Sequence, residues 1–299
     1  MPEAAATYGF DDVITAVHGR VRGCIQTVAD SVGWAEGVEG LFSGKMLRTR
    51  LAGRLAAAEA RIELSVMVDL CAATELLHVA SLCHDDVIDN AATRRGTSSL
   101  WVAAGASAAV LMGDRVLCEA MDLARGAGGG VHLGPFMSKA REVLDAEIQQ
   151  EIACRGRQLE ESVCLKLARG KTGPLFAFPA CVCGGSDAAL AATLEEAGYQ
   201  LGTAYQLADD LLDVLGDEQS AGKTLGTDRQ RGKFTLPHME PEGPRRTRDH
   251  IDRLCRDAVA ALVSYPKFHA GLGAYLAKDF LPALGLANLP RGLGIESPA

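Results

Sequence analysis

Apolar residues recur along this chain at helical spacing and almost nowhere with the alternation of a strand. Over 11–32, Val13, Val17, Val21, Ile25 and Val28 fall on one stripe, which predicts an amphipathic helix. Residues 33–44 read as a loop and 46–60 as a second helix. The segment 62–89 is apolar around most of its girth, the pattern of a buried central helix. A polar loop at 91–99 leads to a helix over 102–124, which the glycine run at 126–130 ends. Further helices are predicted over 135–155, 160–170 and 190–215. A polar loop covers 217–237, and the last helices lie near 246–265 and 272–284. No strand-length run, repeat or linker interrupts this series. The pattern predicts an all-α chain folded as one domain over 1–299.

Composition agrees. Of 299 residues, 48% are apolar and only 5% aromatic, and a chain rich in Ala and Leu with few aromatics favours helix over strand. The net charge of −8 gives a nucleic-acid role little support. Nine scattered cysteines form no CxxC pair and read as buried, reduced thiols. The first ten residues lack the regions of a signal peptide. The uncharged stretch 96–113 reaches the length of a weak membrane span. Its Ser and Gly content reads instead as a loop and a buried helix. The expectation is a cytoplasmic protein with no transmembrane segment.

Two segments look alike: Leu82-Cys83-His84-Asp85-Asp86-Val87-Ile88-Asp89 and Gln206-Leu207-Ala208-Asp209-Asp210-Leu211-Leu212-Asp213. Each holds DDxxD on a predicted helix, where positions i and i+4 share a face. At an Asp frequency of roughly 6%, one DDxxD arises in ~0.06 chains of this length and two in ~0.003. A lone copy reads as a solvated helix end. Two copies inside apolar helices would leave costly unpaired carboxylates, so something cationic should offset them. Oxygen-only ligands suit Mg²⁺, which binds through one or two carboxylates plus substrate phosphates. Two facing helices of this kind would clamp a diphosphate through bridging metals. Cations lie near both motifs: Lys45 and Arg48, His78, Arg94 and Arg95, Lys171 beside Thr172, and Lys223 and Lys233. Each alone is an ordinary surface residue. Together they are too many for one diphosphate and suit two.

With these motifs in this order, the sequence resembles the trans-isoprenyl diphosphate synthase (polyprenyl synthetase) family over roughly 44–237. Glu75-Leu76-Leu77-His78 through Asp89 to Thr93-Arg94-Arg95-Gly96 looks like the family's first Asp-rich region. Tyr205-Gln206 through Asp213, then Gly222-Lys223, Gly226, Asp228 and Gly232-Lys233-Phe234-Thr235-Leu236-Pro237, looks like the second. The resemblance implies a large helical bundle around a central apolar cavity, the isoprenoid synthase fold, usually as a homodimer. It implies isopentenyl diphosphate and an allylic diphosphate as substrates. Lys45, Arg48, His78 and Arg95 would hold the first. Arg94, Lys171, Thr172, Gln206, Lys223 and Lys233 would hold the second. Asp85, Asp89 and Asp209 would be the principal Mg²⁺ ligands, with Asp86, Asp210 and Asp213 in support and about three ions in all. Catalysis would rest on Asp85, Asp89, Asp209, Arg94, Lys171 and Lys223.

The implied reaction breaks the allylic C–O bond, with the metal and nearby Lys and Arg stabilising the leaving diphosphate. The double bond of isopentenyl diphosphate attacks the allylic cation, and loss of a proton to the departed diphosphate regenerates an allylic product. Water would quench the cation, so an apolar lining is needed, which 70–82 and 103–112 could supply. Product length should follow the residues one and two turns before Asp85. Ala80 and Ser81 are small, and Leu77 lies beyond them. This implies a product longer than C15, C25–C40 with C20 as the alternative. The competing explanation is that these small residues permit helix packing and that Met112 or Leu117 sets the floor.

Some positions depart from the family. Met46 stands where a basic residue is usual, Thr49 where Pro is, Tyr205 for Phe, and Ala146 for the Gly before Glu147. The tail after Pro237, His238-Met239-Glu240-Pro241-Glu242-Gly243-Pro244, is polar where the family continues into an apolar helix. A terpene cyclase would need only one diphosphate. A non-catalytic synthase subunit could afford to lose an Asp cluster, yet both are intact. A di-iron protein would need a second ExxH beside Glu75–His78.

Overall fold

The computed structural model describes residues 8–34, 44–94, 97–216 and 231–286. Among these the chain is almost wholly helical, as its periodicity predicts. Helix α1 is Phe10–Ser31, α2 Leu47–Ala58, α3 Leu64–Ile88, α4 Leu100–Ala104, α5 Ala106–Gly126, α6 Leu133–Ile148, α7 Glu161–Val182, α8 Ala188–Leu215, α9 Gly243–Ala260 and α10 Pro266–Tyr275. The chain divides into two compact units, Met1–Met137 and Ser138–Ala299.

In the first unit α3 packs on α5, α1 and α2. The predicted α1 stripe is the buried face, with Val13, Val17, Val21, Ile25 and Val28 all closed from solvent. Helix α3 is buried nearly all round, as its apolar girth predicts. It is the one helix among the described residues long and apolar enough to cross a membrane, and 67% of its most apolar window is buried in the protein. A buried core helix has that same composition.

In the second unit α7 and α8 form the central pair, and α9 packs on α8. Their approach depends on small residues. A Cβ on Gly202 would lie 2.6 Å from the Gly173 Cα, and one on Gly198 2.6 Å from the Ala177 Cα. The two backbones therefore touch along several turns. The last described segments are tied to this pair by rings. Phe280 lies 6.3 Å from both Phe176 of α7 and Tyr205 of α8, and 5.6 Å from Tyr275.

Several expectations need correction. The helix predicted to end at residue 170 runs on through Pro174 and Pro179 to Val182, so Lys171 and Thr172 lie within it rather than beyond its end. Buried packing on α8 outweighs the local cost of two prolines. The helix predicted over 102–124 is broken at Gly105, whose φ of 92° no helix can hold. Val110 and Leu111, expected in a buried helix, are exposed. The loop 91–99 contains a two-residue antiparallel ladder, with Thr93 opposite Ser98 and Arg94 opposite Thr97. None of the nine cysteines is in a disulfide, and all but Cys118 and Cys181 are buried. Burial pushes the Cys164 thiol up to about 11 and Cys255 up to about 12, which keeps both protonated and unreactive near neutrality.

Candidate active site

The first carboxylate cluster sits at the end of α3, not in its interior. Asp85 and Asp86 occupy the last turn, and Asp89 is the C-cap. The chain then turns through Asn90 with φ 49°. The Ala91 N–H donates to the Asp86 carbonyl (2.9 Å) and the Asn90 N–H to the Val87 carbonyl (3.3 Å). That is a Schellman stop, with Asn tolerating the left-handed position. Its consequence is electrostatic. Three carboxylates stand at the negative pole of a helix, with no basic residue in its last turn. Each such placement costs roughly 0.3–1 kcal/mol without a cation. Asp86 is only 3% exposed, so water screens it little.

The cations expected for isopentenyl diphosphate stand at the start of α2. Lys45 is exposed and Arg48 buried. Between them Met46 caps the helix in the left-handed region, φ 49° and ψ 42°, a conformation that costs a non-glycine residue roughly 1–3 kcal/mol. The Arg50 Nε–H donates to the Lys45 carbonyl (3.0 Å). His78 lies half-buried on α3. The backbone of Arg94 is fixed by the short ladder. The side chain of Arg94, together with Arg95 and Lys223, lies outside the described residues.

Of the length-determining candidates, Leu77 and Ala80 are buried and Ser81 is half-buried, donating its hydroxyl to the His78 carbonyl (2.8 Å). Helix α5 crosses α3 closely here. A Cβ on Gly113 would lie 2.4 Å from His84 Nε2 and 3.1 Å from the Ala80 carbonyl oxygen. Close packing at Ala80 is thus real, whatever else its small side chain permits. Met112 and Leu117 are half-buried on α5.

The second cluster, Asp209, Asp210 and Asp213, lies in the last two turns of α8, again with no basic residue in the final turn. Here the carboxylates are wired to their neighbours. The Thr172 hydroxyl donates to Gln206 Oε1 (2.7 Å), and Gln206 Nε2–H donates to Asp210 Oδ1 (2.8 Å). The glycine contact between α7 and α8 makes this reach possible, one residue beyond Thr172. Lys171 Nζ donates to Gln150 Oε1 (2.6 Å) and pairs with Glu147 (3.1 Å). Lys233 Nζ pairs with Glu151 (3.2 Å).

The carboxylates facing these lysines come from α6 and the π-helical turn Gln149–Cys154 that follows it. Ala146 approaches Gly170 so closely that a Cβ on Gly170 would lie 2.7 Å from the Ala146 Cβ. The Ala that departs from the family is therefore matched by a glycine on α7. Lys139 anchors the start of this segment, pairing with Glu195 (2.5 Å) and donating to the Tyr199 hydroxyl (2.6 Å). Lys233 is held by its own turn, where the Gly156 N–H donates to the Gly232 carbonyl (2.7 Å). Both glycines have φ 73°.

Sequence reasoning missed Gln150 and Glu151, and it named Glu147 only as a landmark. Their spacing of i, i+3 and i+4 on one face, opposite a lysine, is the signal that marks them. It also missed that Glu75, the acid of the ExxH match, is taken by Thr49 (2.7 Å from the hydroxyl).

The donor set in both clusters is carboxylate oxygen alone, which fits a hard divalent cation. Among the described residues no three His, Cys, Asp or Glu side chains are gathered so that they could hold a metal ion by themselves. Mg²⁺ usually binds through one or two carboxylates and takes its other ligands from substrate phosphates and water.

Comparison with known proteins agrees with this reading. The polyprenyl synthetase family model matches residues 37–253. The octaprenyl diphosphate synthase of Escherichia coli is 32% identical over 220 residues, 70% of this chain and 68% of that protein. The geranylgeranyl diphosphate synthase of Mycobacterium tuberculosis is 36% identical over 203 residues, 65% of this chain and 57% of that protein. Among solved structures, polyprenyl synthase from Caulobacter crescentus, complexed with calcium and isoprenyl diphosphate, matches with a TM-score of 0.76. The match covers 97% of this chain and 100% of that one at 24% identity. The fold is the all-α isoprenoid synthase fold, and the chain belongs to the polyprenyl synthetase family.

Proposed function

We propose that this chain is a Mg²⁺-dependent prenyltransferase that condenses isopentenyl diphosphate head-to-tail with an allylic diphosphate. One observation carries the reading: each unit ends a long helix of its core in an oxygen-only DDxxD cluster at the helix's negative pole. The family match crosses from one unit into the other, which supports treating them as one synthase domain. A cytoplasmic homodimer remains part of the proposal.

Mg²⁺, when bound, would supply the positive charge that a departing diphosphate needs. Asp85, Asp89 and Asp209 would hold it, supported by Asp86, Asp210 and Asp213, with about three ions per site. Lys171, Lys233, Lys223 and Arg94 would neutralise the allylic diphosphate, while Thr172 and Gln206 orient it. Lys45, Arg48, His78 and Arg95 would hold isopentenyl diphosphate. The buried apolar stretch of α3 would keep water from the allylic cation.

The product proposed is C25–C40, supported by small residues at Ala80 and Ser81 and by the similarity to an octaprenyl diphosphate synthase. A C20 product is the second reading, favoured by the similarity to a geranylgeranyl diphosphate synthase. The test is incubation with radiolabelled isopentenyl diphosphate in excess, an allylic primer and Mg²⁺, followed by product sizing. Wild type should pass C15, and Ala80→Phe should stop at C15 or C20 with turnover retained. Wild-type products ending at C15 would overturn the length assignment, and no product at all would overturn the activity.

A further inference from the structure

The N-terminal turn of α2 lacks the cap its backbone calls for. Met46, the N-cap, has no side-chain acceptor to offer the first N–H groups of the helix. The acceptor comes from another helix. Glu75 Oε1 on α3 takes a hydrogen bond from the Thr49 N–H (3.2 Å) and a second from the Thr49 hydroxyl (2.7 Å). Thr49 is the third residue of α2, where a capping oxygen normally binds. Glu75 is 7% exposed and Thr49 1%, so water does not compete for either group. The residues this contact joins are those assigned to one ligand. Lys45 and Arg48 flank Met46 and Leu47 immediately before Thr49. His78 follows Glu75 by three residues and so shares its face of α3.

We infer that Glu75 is a positioning residue for the isopentenyl diphosphate site: its carboxylate, held by Thr49, fixes the first turn of α2, and with it Lys45 and Arg48, beside His78. The carboxylate also sits at the positive pole of α2, which favours its charge. Met46 in the left-handed region adds a reason for such a clamp. The reversal between Lys45 and Leu47 is one the backbone resists, and the two bonds just beyond it hold it closed. A proline at position 49, the residue usual in the family, has neither the N–H nor the hydroxyl, so this clamp belongs to this chain's own sequence.

The inference rests on the assignment of Lys45, Arg48 and His78 to isopentenyl diphosphate. Its test therefore reads binding apart from turnover. Calorimetric isotherms for isopentenyl diphosphate, with KM for each substrate, are measured for wild type, Glu75→Ala, Thr49→Val and Thr49→Ser. Loss of a charge-assisted pair predicts weakening of isopentenyl diphosphate binding by roughly tenfold or more in Glu75→Ala. Thr49→Val, which keeps the N–H, should lose roughly threefold to tenfold, and Thr49→Ser should match wild type. KM for the allylic primer should stay within about twofold throughout, which a general loss of structure would not allow. If Glu75→Ala does not fold, Thr49→Val and its Ser rescue carry the test. Isotherms unchanged in Thr49→Val, or equal losses for both substrates, overturn this inference alone. A wild type that binds no isopentenyl diphosphate overturns it together with the functional assignment.

Discussion

The ends of α3 and α8 carry the same five-residue pattern of acids and apolar residues, yet they are built differently. At the end of α3 the backbone does the work. A Schellman stop at Asn90 fixes Asp89. At the end of α8 side chains do the work. Thr172, Gln206 and Asp210 form a hydrogen-bonded line, and Lys171 and Lys233 are each held by an acid, Glu147 at the end of α6 and Glu151 in the turn after it. At this second cluster, binding a diphosphate would compete with contacts the lysines already make. The same motif thus ends one helix in a backbone stop and joins a side-chain network at the end of the other.

The largest expected effect would erase this difference. Asp85→Ala and Asp209→Ala should each lower turnover by ~10³ or more, the loss of about 4 kcal/mol of leaving-group stabilisation. Steady-state rates at saturating Mg²⁺ check this, and either variant retaining most activity would break the equivalence of the two clusters. The next effect separates the units by substrate. Lys45→Ala and Arg48→Ala should raise KM for isopentenyl diphosphate by roughly 10–100-fold, the worth of a charge-assisted contact, with the primer little affected. Lys171→Ala should do the reverse. Equal losses for both substrates in all three variants would contradict the division.

The smallest effect concerns stability and isolates the wiring. In EDTA, Asp210→Asn gives up the charge in its hydrogen bond from Gln206. It should lose up to about 1 kcal/mol, seen as a melting temperature ~2 °C lower. An unchanged melting temperature would show that the hydrogen-bonded line contributes nothing.

Much of this was legible in the sequence. The apolar stripe of α1 and the girth of α3 predicted helices that the structure contains, because burial on one face or on all faces leaves a periodic trace. The paired DDxxD clusters were legible because acids inside apolar runs are improbable without a partner. What escaped was set by tertiary contact. Helix α7 continues past residue 170 through two prolines because its packing on α8 outweighs local propensity. The helix break at Gly105 depends on a backbone angle that a lone glycine permits but does not announce. The Glu75–Thr49 contact joins residues 26 apart on different helices, and neither residue's own neighbours point to the other. Gln150 and Glu151 looked like one face of an ordinary surface helix until Lys171 and Lys233 were found opposite them.

The central claim is that these carboxylates act through a divalent cation on a departing diphosphate. Incorporation of radiolabelled isopentenyl diphosphate into allylic product, measured on the wild-type chain as Mg²⁺ is titrated upward from EDTA, tests it most directly. The account predicts no incorporation in EDTA and a rate that rises with Mg²⁺ to saturation. Incorporation in EDTA at the rate seen with Mg²⁺ would contradict it.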